Sequence, residues 1–347
     1  MRKYNVAVIG VGAVGGEILN CLHQRNFPLN TLRVFARSQR EIEVKGRKYN
    51  VEAIEDADFD GIDIALFAGT EGEKGASRLF AHKFIEKGAV VIDNGADFRL
   101  EKDVPLVVPE VNKEKIFTHK GLIANPNCTT IGEVVALGGI YKSVGIKSII
   151  LVSFQATSGA GRKACYQLWE ETKEIVERNK EVDFAFINKK LNRDFDIFGN
   201  QIAFNVIPKI GGFADEEYTS EEWKVVKETQ KIFDDYSIKI SATCVRVPVF
   251  TSHCEAIYFE TCKDVKLEEI KEIIKNSPGV KFLENPALPF PLDVEGSDFV
   301  YVGRVRKDPF RKNCFWVWSV SDNLRKGASL NAVQIAEELI KKEENLS

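Results

Sequence analysis

The chain has 347 residues, room for roughly two domains, and its 44% hydrophobic and 29% charged residues give a globular rather than a disordered balance. Its 48 Lys and Arg against 51 Asp and Glu leave a formal charge of −3, so there is no cationic excess to neutralise a phosphate polymer and nucleic acid is not an expected partner. The apolar runs, such as 149–152, are far shorter than the roughly 18 residues of a membrane span, and the start passes into a strand-like run without a signal-peptide core, so a cytoplasmic protein with no membrane partner is expected.

In chain order, Asn5 to Ile9 is a β-branched run, a Gly-rich turn follows, and Val14, Ile18, Leu19 and Leu22 recur at helical spacing. Strands are then expected at Leu32 to Phe35 and Ile62 to Ala68, a helix from Glu73 to Lys87, and strands at Ala89 to Ile92 and Leu106 to Val108. Strands interleaved with helices predict a parallel sheet covered on both faces. Beyond about residue 150 the rhythm changes. A polar helix from about Gly161 to Asn179 is followed by alternating strands at Ser241 to Val249 and Cys254 to Glu260, which reads as an α+β domain with a more antiparallel sheet. Apolar positions 330, 333, 335, 336, 339 and 340 predict an amphipathic C-terminal helix that returns to the first domain. The expected domains are 1–127 with 323–347, and 128–322.

Gly10-Val11-Gly12-Ala13-Val14-Gly15 is a G-x-G-x-x-G turn between a strand and a helix. The first glycine permits the turn, the second a close approach to a pyrophosphate, and the third helix-on-strand packing. At the end of the second strand, where an acidic residue would select a free ribose hydroxyl, the chain has Arg37 and Ser38. These suit a 2′-phosphate, so NADP is expected over NAD; Arg37 as a solvated loop charge is the bland alternative.

The seven cysteines, at 21, 128, 165, 244, 254, 262 and 314, form no Cys-x-x-Cys pair. Neither a disulfide framework nor a metal site is indicated. Asn125-Pro126-Asn127-Cys128-Thr129-Thr130 precedes an apolar helix. Asn127 can cap it and Cys128 then lies in the first turn, where the helix dipole stabilises a thiolate; by itself such a cysteine is more often a small buried hydrophobe. The other six are read as core. Among the histidines at 23, 82, 119 and 253, His253, expected in a turn between two strands, is the best acid/base candidate. Thr219-Ser220-Glu221-Glu222 fits a capping box, which makes Glu221 and Lys224 neighbours on one helix face.

With Asn125 to Thr130, Ser153 to Gly161 (SFQATSGAG) and Arg246 to Val249 followed by His253, the chain resembles the bacterial aspartate-semialdehyde dehydrogenases. The likeness extends through Pro105 to Asn112, Ala203 to Pro208, Tyr218 to Lys224, Val302 to Asp308 and Ser321 to Ala328, essentially the whole length. The resemblance implies a Rossmann-type dinucleotide-binding domain and an α+β catalytic and dimerisation domain, like glyceraldehyde-3-phosphate dehydrogenase. It also implies NADPH-dependent reductive dephosphorylation of aspartyl phosphate to aspartate semialdehyde through a cysteine thioester. That step lies on the route to lysine, threonine and methionine and to diaminopimelate. Carried over by motif, Cys128 is the nucleophile, His253 the acid/base, and Gln155 orients the acyl group. Arg246 holds the substrate carboxylate, Glu221 the ammonium, and Arg99 and Lys224, with Asn127, the phosphate. Gly10, Gly12, Ala13, Val14, Gly15, Arg37, Ser38, Ser158, Gly159 and Asn323 contact the cofactor, and a homodimer or homotetramer is implied.

Two features depart from that pattern. The first loop is one residue shorter than the family's usual one, and Asn94 to Arg99 (NGADFR) also resembles the N-acetyl-gamma-glutamyl-phosphate reductases, which work on an acetylated, longer substrate. Those enzymes usually carry Gly-Cys-Tyr at the nucleophile, and an acetylated amine has no use for Glu221. The other alternative, a dinucleotide-binding paralogue without catalysis, should have lost Cys128 or His253, and both are present.

Overall fold

The structure is a computed structural model that describes residues 2–69, 75–178 and 190–346. Its elements are β1 (Tyr4–Ile9), α1 (Ala13–Gln24), β2 (Leu29–Ala36), β3 (Arg40–Val44), β4 (Arg47–Ala53), β5 (Ile64–Phe67), α2 (Ala76–Glu86), β6 (Val90–Asp93), α3 (Pro109–Asn112), β7 (Leu122–Ala124), α4 (Cys128–Val144), β8 (Ile146–Gln155), α5 (Arg162–Arg178), α6 (Ser220–Phe233), β9 (Lys239–Arg246), β10 (His253–Thr261), α7 (Leu267–Lys275), β11 (Val280–Phe282), α8 (Pro291–Val294), β12 (Val300–Lys307), β13 (Cys314–Ser321) and α9 (Leu330–Leu346). Two ends of expected helices, Glu73 and Asn179, lie outside the described residues. No helix among the described residues is long and apolar enough to cross a membrane.

The chain divides into two compact units. The first comprises Met1–Gly138, Lys227–Tyr236 and Leu324–Ser347, the second Gly139–Val226 and Ser237–Asn323. Residues 128–138 and 227–236 thus cluster with the first unit and Asn323 with the second, whereas the sequence boundaries assign them the other way. The division falls inside α4 and α6, where neither helix has a break in its hydrogen-bond pattern for a sequence reader to see.

The first unit is built on a seven-stranded sheet of order β3-β4-β2-β1-β5-β6-β7. The pairs from β4 to β7 are parallel, as interleaved helices require, and β3 pairs antiparallel with β4. That polar hairpin was not expected, although Ile42, Val44, Tyr49 and Val51 alternate with exposed polar residues, a strand pattern that the sequence reading passed over. The expected strand at Leu106 to Val108 is not one: Leu106 makes a single bridge to Ala124, and Pro109 starts α3. The Asn112 side chain ends the run by accepting from the Val108 N–H and donating to the Leu106 carbonyl, both at 2.9 Å. Helix α9 shares one buried cluster with Val6, Val8, Ile18 and Leu22, and all six of its expected apolar positions are buried.

The second unit carries a six-stranded sheet of order β11-β12-β13-β10-β8-β9. It is more antiparallel, as expected, through β12 with β13, β13 with β10 and β10 with β8, while β8 with β9 and β11 with β12 run parallel. The strand expected to reach Val249 stops at Arg246, and two residues on, Pro248 has no N–H to donate to a ladder. His253 belongs to a strand and not to a turn: it opens β10 and pairs with Ser321. The reading of six core cysteines also needs correcting. Cys21, Cys244, Cys254 and Cys314 are buried, Cys165 is half-buried and Cys262 is exposed. Cys165 lies on the partly exposed stretch of α5 beside exposed Tyr166, and Cys262 lies just past the end of β10, where strand alternation no longer dictates a buried side.

Candidate active site

In the first unit the end of β7 leads through Asn125 and Pro126 into α4, so Cys128 occupies its first turn. Asn127 caps the helix as expected: its Oδ1 accepts from the Thr129 N–H at 2.9 Å and the Thr130 N–H at 3.4 Å. The Asn127 N–H donates to Glu228 Oε2 at 2.7 Å. Cys128 is half-buried at this positive end of the helix dipole, the setting that favours a thiolate.

Arg99 is 6% exposed, not a surface cation. Its Nη1 lies 3.1 Å from Glu228 Oε1, and Nε and Nη2 donate to the carbonyls of Asn125 at 2.9 Å and Asn94 at 2.7 Å. Sequence reasoning missed Glu228, although a signal existed: it lies seven residues after Glu221, two helical turns along α6. Nearby, Glu133 on α4 is fully buried and accepts from the Thr229 hydroxyl at 2.7 Å; burial pushes its carboxyl up to about 8.

The glycine turn has the shape expected of it. Gly10 adopts φ +100°, and a Cβ on Gly15 would lie 2.0 Å from the Gly10 carbonyl oxygen, so both positions require glycine. A Cβ on Gly12 would meet nothing within 4 Å, and no side chain caps α1 there. Open space in front of amides at a helix start, which Ala13 and Val14 continue, fits a diphosphate. Arg37 and Ser38 are exposed just beyond β2, and Arg40 donates to the Ser38 carbonyl at 3.1 Å and hydroxyl at 2.9 Å. Arg40 is thus a second guanidinium beside Ser38, one that sequence reasoning did not single out.

In the second unit, strand register gathers residues far apart in sequence. Gln155 pairs with Arg246 across parallel β8 and β9, and Cys254 pairs with Phe154 across antiparallel β10 and β8. Gln155, Arg246 and His253 therefore share one end of the sheet, and all three are buried. The Ala156 peptide links two of them: its N–H donates to His253 Nδ1 at 3.1 Å and its carbonyl accepts from Arg246 Nη1 at 2.6 Å. A Cβ on Gly159 would lie 2.8 Å from Arg246 Nη1 and 3.2 Å from His253 Nε2, so a side chain there would press on the Arg246 guanidinium and the His253 ring. Burial, and then the Arg246 charge, hold the His253 imidazole well below its ordinary range. The ring is neutral at neutral pH. Because Nδ1 accepts, its proton sits on Nε2, which is buried with no hydrogen-bond partner in the protein.

The capping box forms, with Thr219 N to Glu222 Oε2 at 2.7 Å and Glu222 N to Thr219 Oγ1 at 3.3 Å. Glu222 also accepts from Cys244 N at 2.9 Å, which ties the start of α6 to β9. Glu221 accepts from Gln155 Nε2 at 3.2 Å and lies 3.6 Å from Lys224 Nζ. Ser158 and Asn323 bond to each other at 3.0 Å, and Asn323 Oδ1 also accepts from the Ser252 N–H at 3.0 Å. The second unit thus brings together Gln155 with Glu221 and Lys224, Arg246 with His253 and Gly159, and Ser158 with Asn323.

Comparison with known proteins adds the family. Residues 137–326 match the family model "Semialdehyde dehydrogenase, dimerisation domain", and residues 5–119 match "Semialdehyde dehydrogenase, NAD binding domain". The aspartate-semialdehyde dehydrogenase of Aquifex aeolicus is 47% identical over 97% of this chain and 98% of its own. The chain belongs to the aspartate-semialdehyde dehydrogenase family. The Bacillus subtilis member is 41% identical over 98% of both chains. The crystal structure of aspartate semialdehyde dehydrogenase II from Vibrio cholerae superposes with a TM-score of 0.88 at 40% identity, covering 98% of this chain and 99% of the other. As a member of this family the protein is an oxidoreductase with a nicotinamide-dinucleotide-binding domain and a dimerisation domain.

Proposed function

We propose that the protein reduces L-aspartyl 4-phosphate to L-aspartate 4-semialdehyde, reversibly, with release of phosphate. The observation that carries this reading is Cys128 at an Asn127-capped helix start, in a chain of this family. A related Vibrio cholerae enzyme was crystallised complexed with ASA.

In the proposed mechanism the Cys128 thiolate attacks the acyl phosphate carbon, the C–O bond to phosphate breaks, and a thioester forms. The neutral His253 donates its Nε2–H to the oxyanion of the tetrahedral intermediate, which the low dielectric of its buried position strengthens. Gln155 orients the acyl group, Arg246 holds the α-carboxylate and Glu221 receives the ammonium. Lys224 and Arg99, with Asn127, hold the phosphate; the Arg99 charge acts there alongside its Glu228 partner. NADPH, when bound, would supply the hydride to the thioester carbon; the C–S bond then breaks, releasing the aldehyde and returning Cys128 as the thiolate. The open face at Gly12, with Gly10, Ala13, Val14 and Gly15, would hold its diphosphate, Arg37 and Ser38 would take the 2′-phosphate, and Ser158, Gly159 and Asn323 would also contact the cofactor.

The domain roles follow the same reading, with 1–127 and 323–347 binding NADP and 128–322 serving catalysis and assembly as a homodimer or homotetramer. The enzyme works in the cytoplasm on the route to lysine, threonine and methionine. The test is oxidation of aspartate semialdehyde followed at the reduced nicotinamide absorbance, with and without phosphate, NADP against NAD. Turnover that requires phosphate and prefers NADP is expected; turnover indifferent to phosphate rejects the reading.

A further inference from the structure

A fully buried lysine in the first unit has no part in the reaction as proposed. Lys326, in the wide helical turn Arg325–Ser329 before α9, is 0% exposed. Its Nζ donates to Glu110 Oε2 at 2.8 Å, Gln334 Oε1 at 2.7 Å and Asn331 Oδ1 at 3.0 Å. Burial alone would raise the Glu110 carboxyl, and the Lys326 charge and hydrogen bond bring it below the usual carboxylate range. The pair is therefore ionic.

An ammonium only donates, whereas a carboxamide has one accepting end and one donating end. With Asn331 Oδ1 held by Lys326, its NH2 must point the other way, onto Asn125 Oδ1 at 2.7 Å and the Val107 carbonyl at 2.9 Å. Asn125 then turns its own NH2 to Asn94 Oδ1 at 2.9 Å and the Ala328 carbonyl at 3.3 Å. Asn94 in turn donates to the Phe67 carbonyl at 2.7 Å. The chain runs one way, from a fixed charge through three amides to the end of β5. Flipping buried Asn331 or Asn125 would set oxygen against oxygen and nitrogen against nitrogen, and flipping half-buried Asn94 would do the same toward Asn125 and the Phe67 carbonyl, so one charge orders the chain of amides. Asn125 stands three residues before Cys128, and Arg99 binds the main-chain carbonyls of the same Asn125 and Asn94.

We propose that Lys326 is a positioning residue for Cys128: it sets the direction of the Asn331, Asn125, Asn94 carboxamide chain, and that chain holds the turn from Asn125 to Cys128 in its reactive geometry. The proposal rests on Cys128 being the nucleophile. Two variants of the full chain test it. Asn331→Asp can still accept from Lys326 but cannot donate to Asn125. Lys326→Met combined with Glu110→Gln removes the charge pair without stranding a carboxylate. For both, kcat should fall about tenfold or more while KM changes less than about threefold. The pH midpoint for alkylation of Cys128 by iodoacetamide, read on its peptide, should rise. A merely structural role would lower the melting temperature and leave kcat and that midpoint unchanged, and this result in either folded variant overturns the proposal. Turnover retained by Cys128→Ser would instead reject the nucleophile, a separate failure. An atomic-resolution crystal structure of the wild-type protein, in which carboxamide N and O are distinguished, needs no variant to fold. It should show Asn331 Oδ1 toward Lys326 and Nδ2 toward Asn125; the reverse at Asn331 or Asn125 overturns the proposal.

Discussion

Around Cys128 in the first unit the charges are paired off: Arg99 with Glu228 and Lys326 with Glu110, with amides and carbonyls completing their shells. Around His253 in the second unit the imidazole Nε2 is buried without a partner, and Glu221 and Lys224 stand 3.6 Å apart on a helix face. In the first arrangement each of these cations faces a carboxylate, so Arg99 would meet the proposed phosphate with its charge already shared with Glu228. The second leaves the His253 Nε2–H without a partner in the protein, the donor that the proposed mechanism aims at the substrate. The difference separates the two proposed roles: the proposed transition-state donor is a buried N–H with no partner in the protein, whereas the proposed positioning residue, Lys326, donates to three acceptors.

The contrast can be broken most sharply at the nucleophile. Cys128→Ser should lower kcat for phosphate-dependent oxidation of the semialdehyde by about 10⁴-fold or more, with cofactor affinity by fluorescence titration unchanged. His253→Gln should cost kcat about 10²- to 10⁴-fold. Since the His253 ring is held below its ordinary range, the acid limb of kcat/KM should lie below pH 6.5 in the wild type. The linkage has a definite sign: the native state binds this proton less well than the unfolded one, so stability falls as pH falls through the unfolded value, and His253→Gln removes that dependence.

Glu133, on the helix that carries Cys128, behaves oppositely. Its carboxyl is raised from 4.5 to about 8, so the native state holds the proton more tightly and its contribution to stability falls as pH rises from about 4.5 to about 8, then levels off. Glu133→Gln, neutral at every pH, should raise the melting temperature at pH 8 by several degrees and leave it unchanged near pH 4. The smallest effect is expected at the exposed end of the cofactor site: Arg37→Ala should reduce the preference for NADP over NAD by about tenfold, measured as the ratio of kcat/KM values.

Features that depend on neighbours in sequence were legible without coordinates. The Asn127 cap, the Thr219 and Glu222 box and the glycine turn each rest on residues within a few positions of one another, and all three form. Features that depend on distant chain were not. Arg99 reads as a free cation until Glu228, 129 positions later, lies against it. His253 reads as a loop residue because its pairing with Ser321 is a property of the sheet. Leu106 to Val108 has strand composition, yet the side chain of Asn112 takes the Val108 N–H that a ladder would need. Cys262 reads as a core cysteine like the others, yet it lies one residue past the end of β10 and is exposed.

The central claim is that Cys128 carries the acyl group. Incubating the protein with aspartate semialdehyde and NADP in the absence of phosphate, quenching in acid and mapping the peptides by mass spectrometry tests it directly. An aspartyl adduct on the peptide containing Cys128, formed in step with a burst of NADPH and discharged by added phosphate, is the predicted result. A burst of NADPH with the adduct on another residue, or with none, would contradict it.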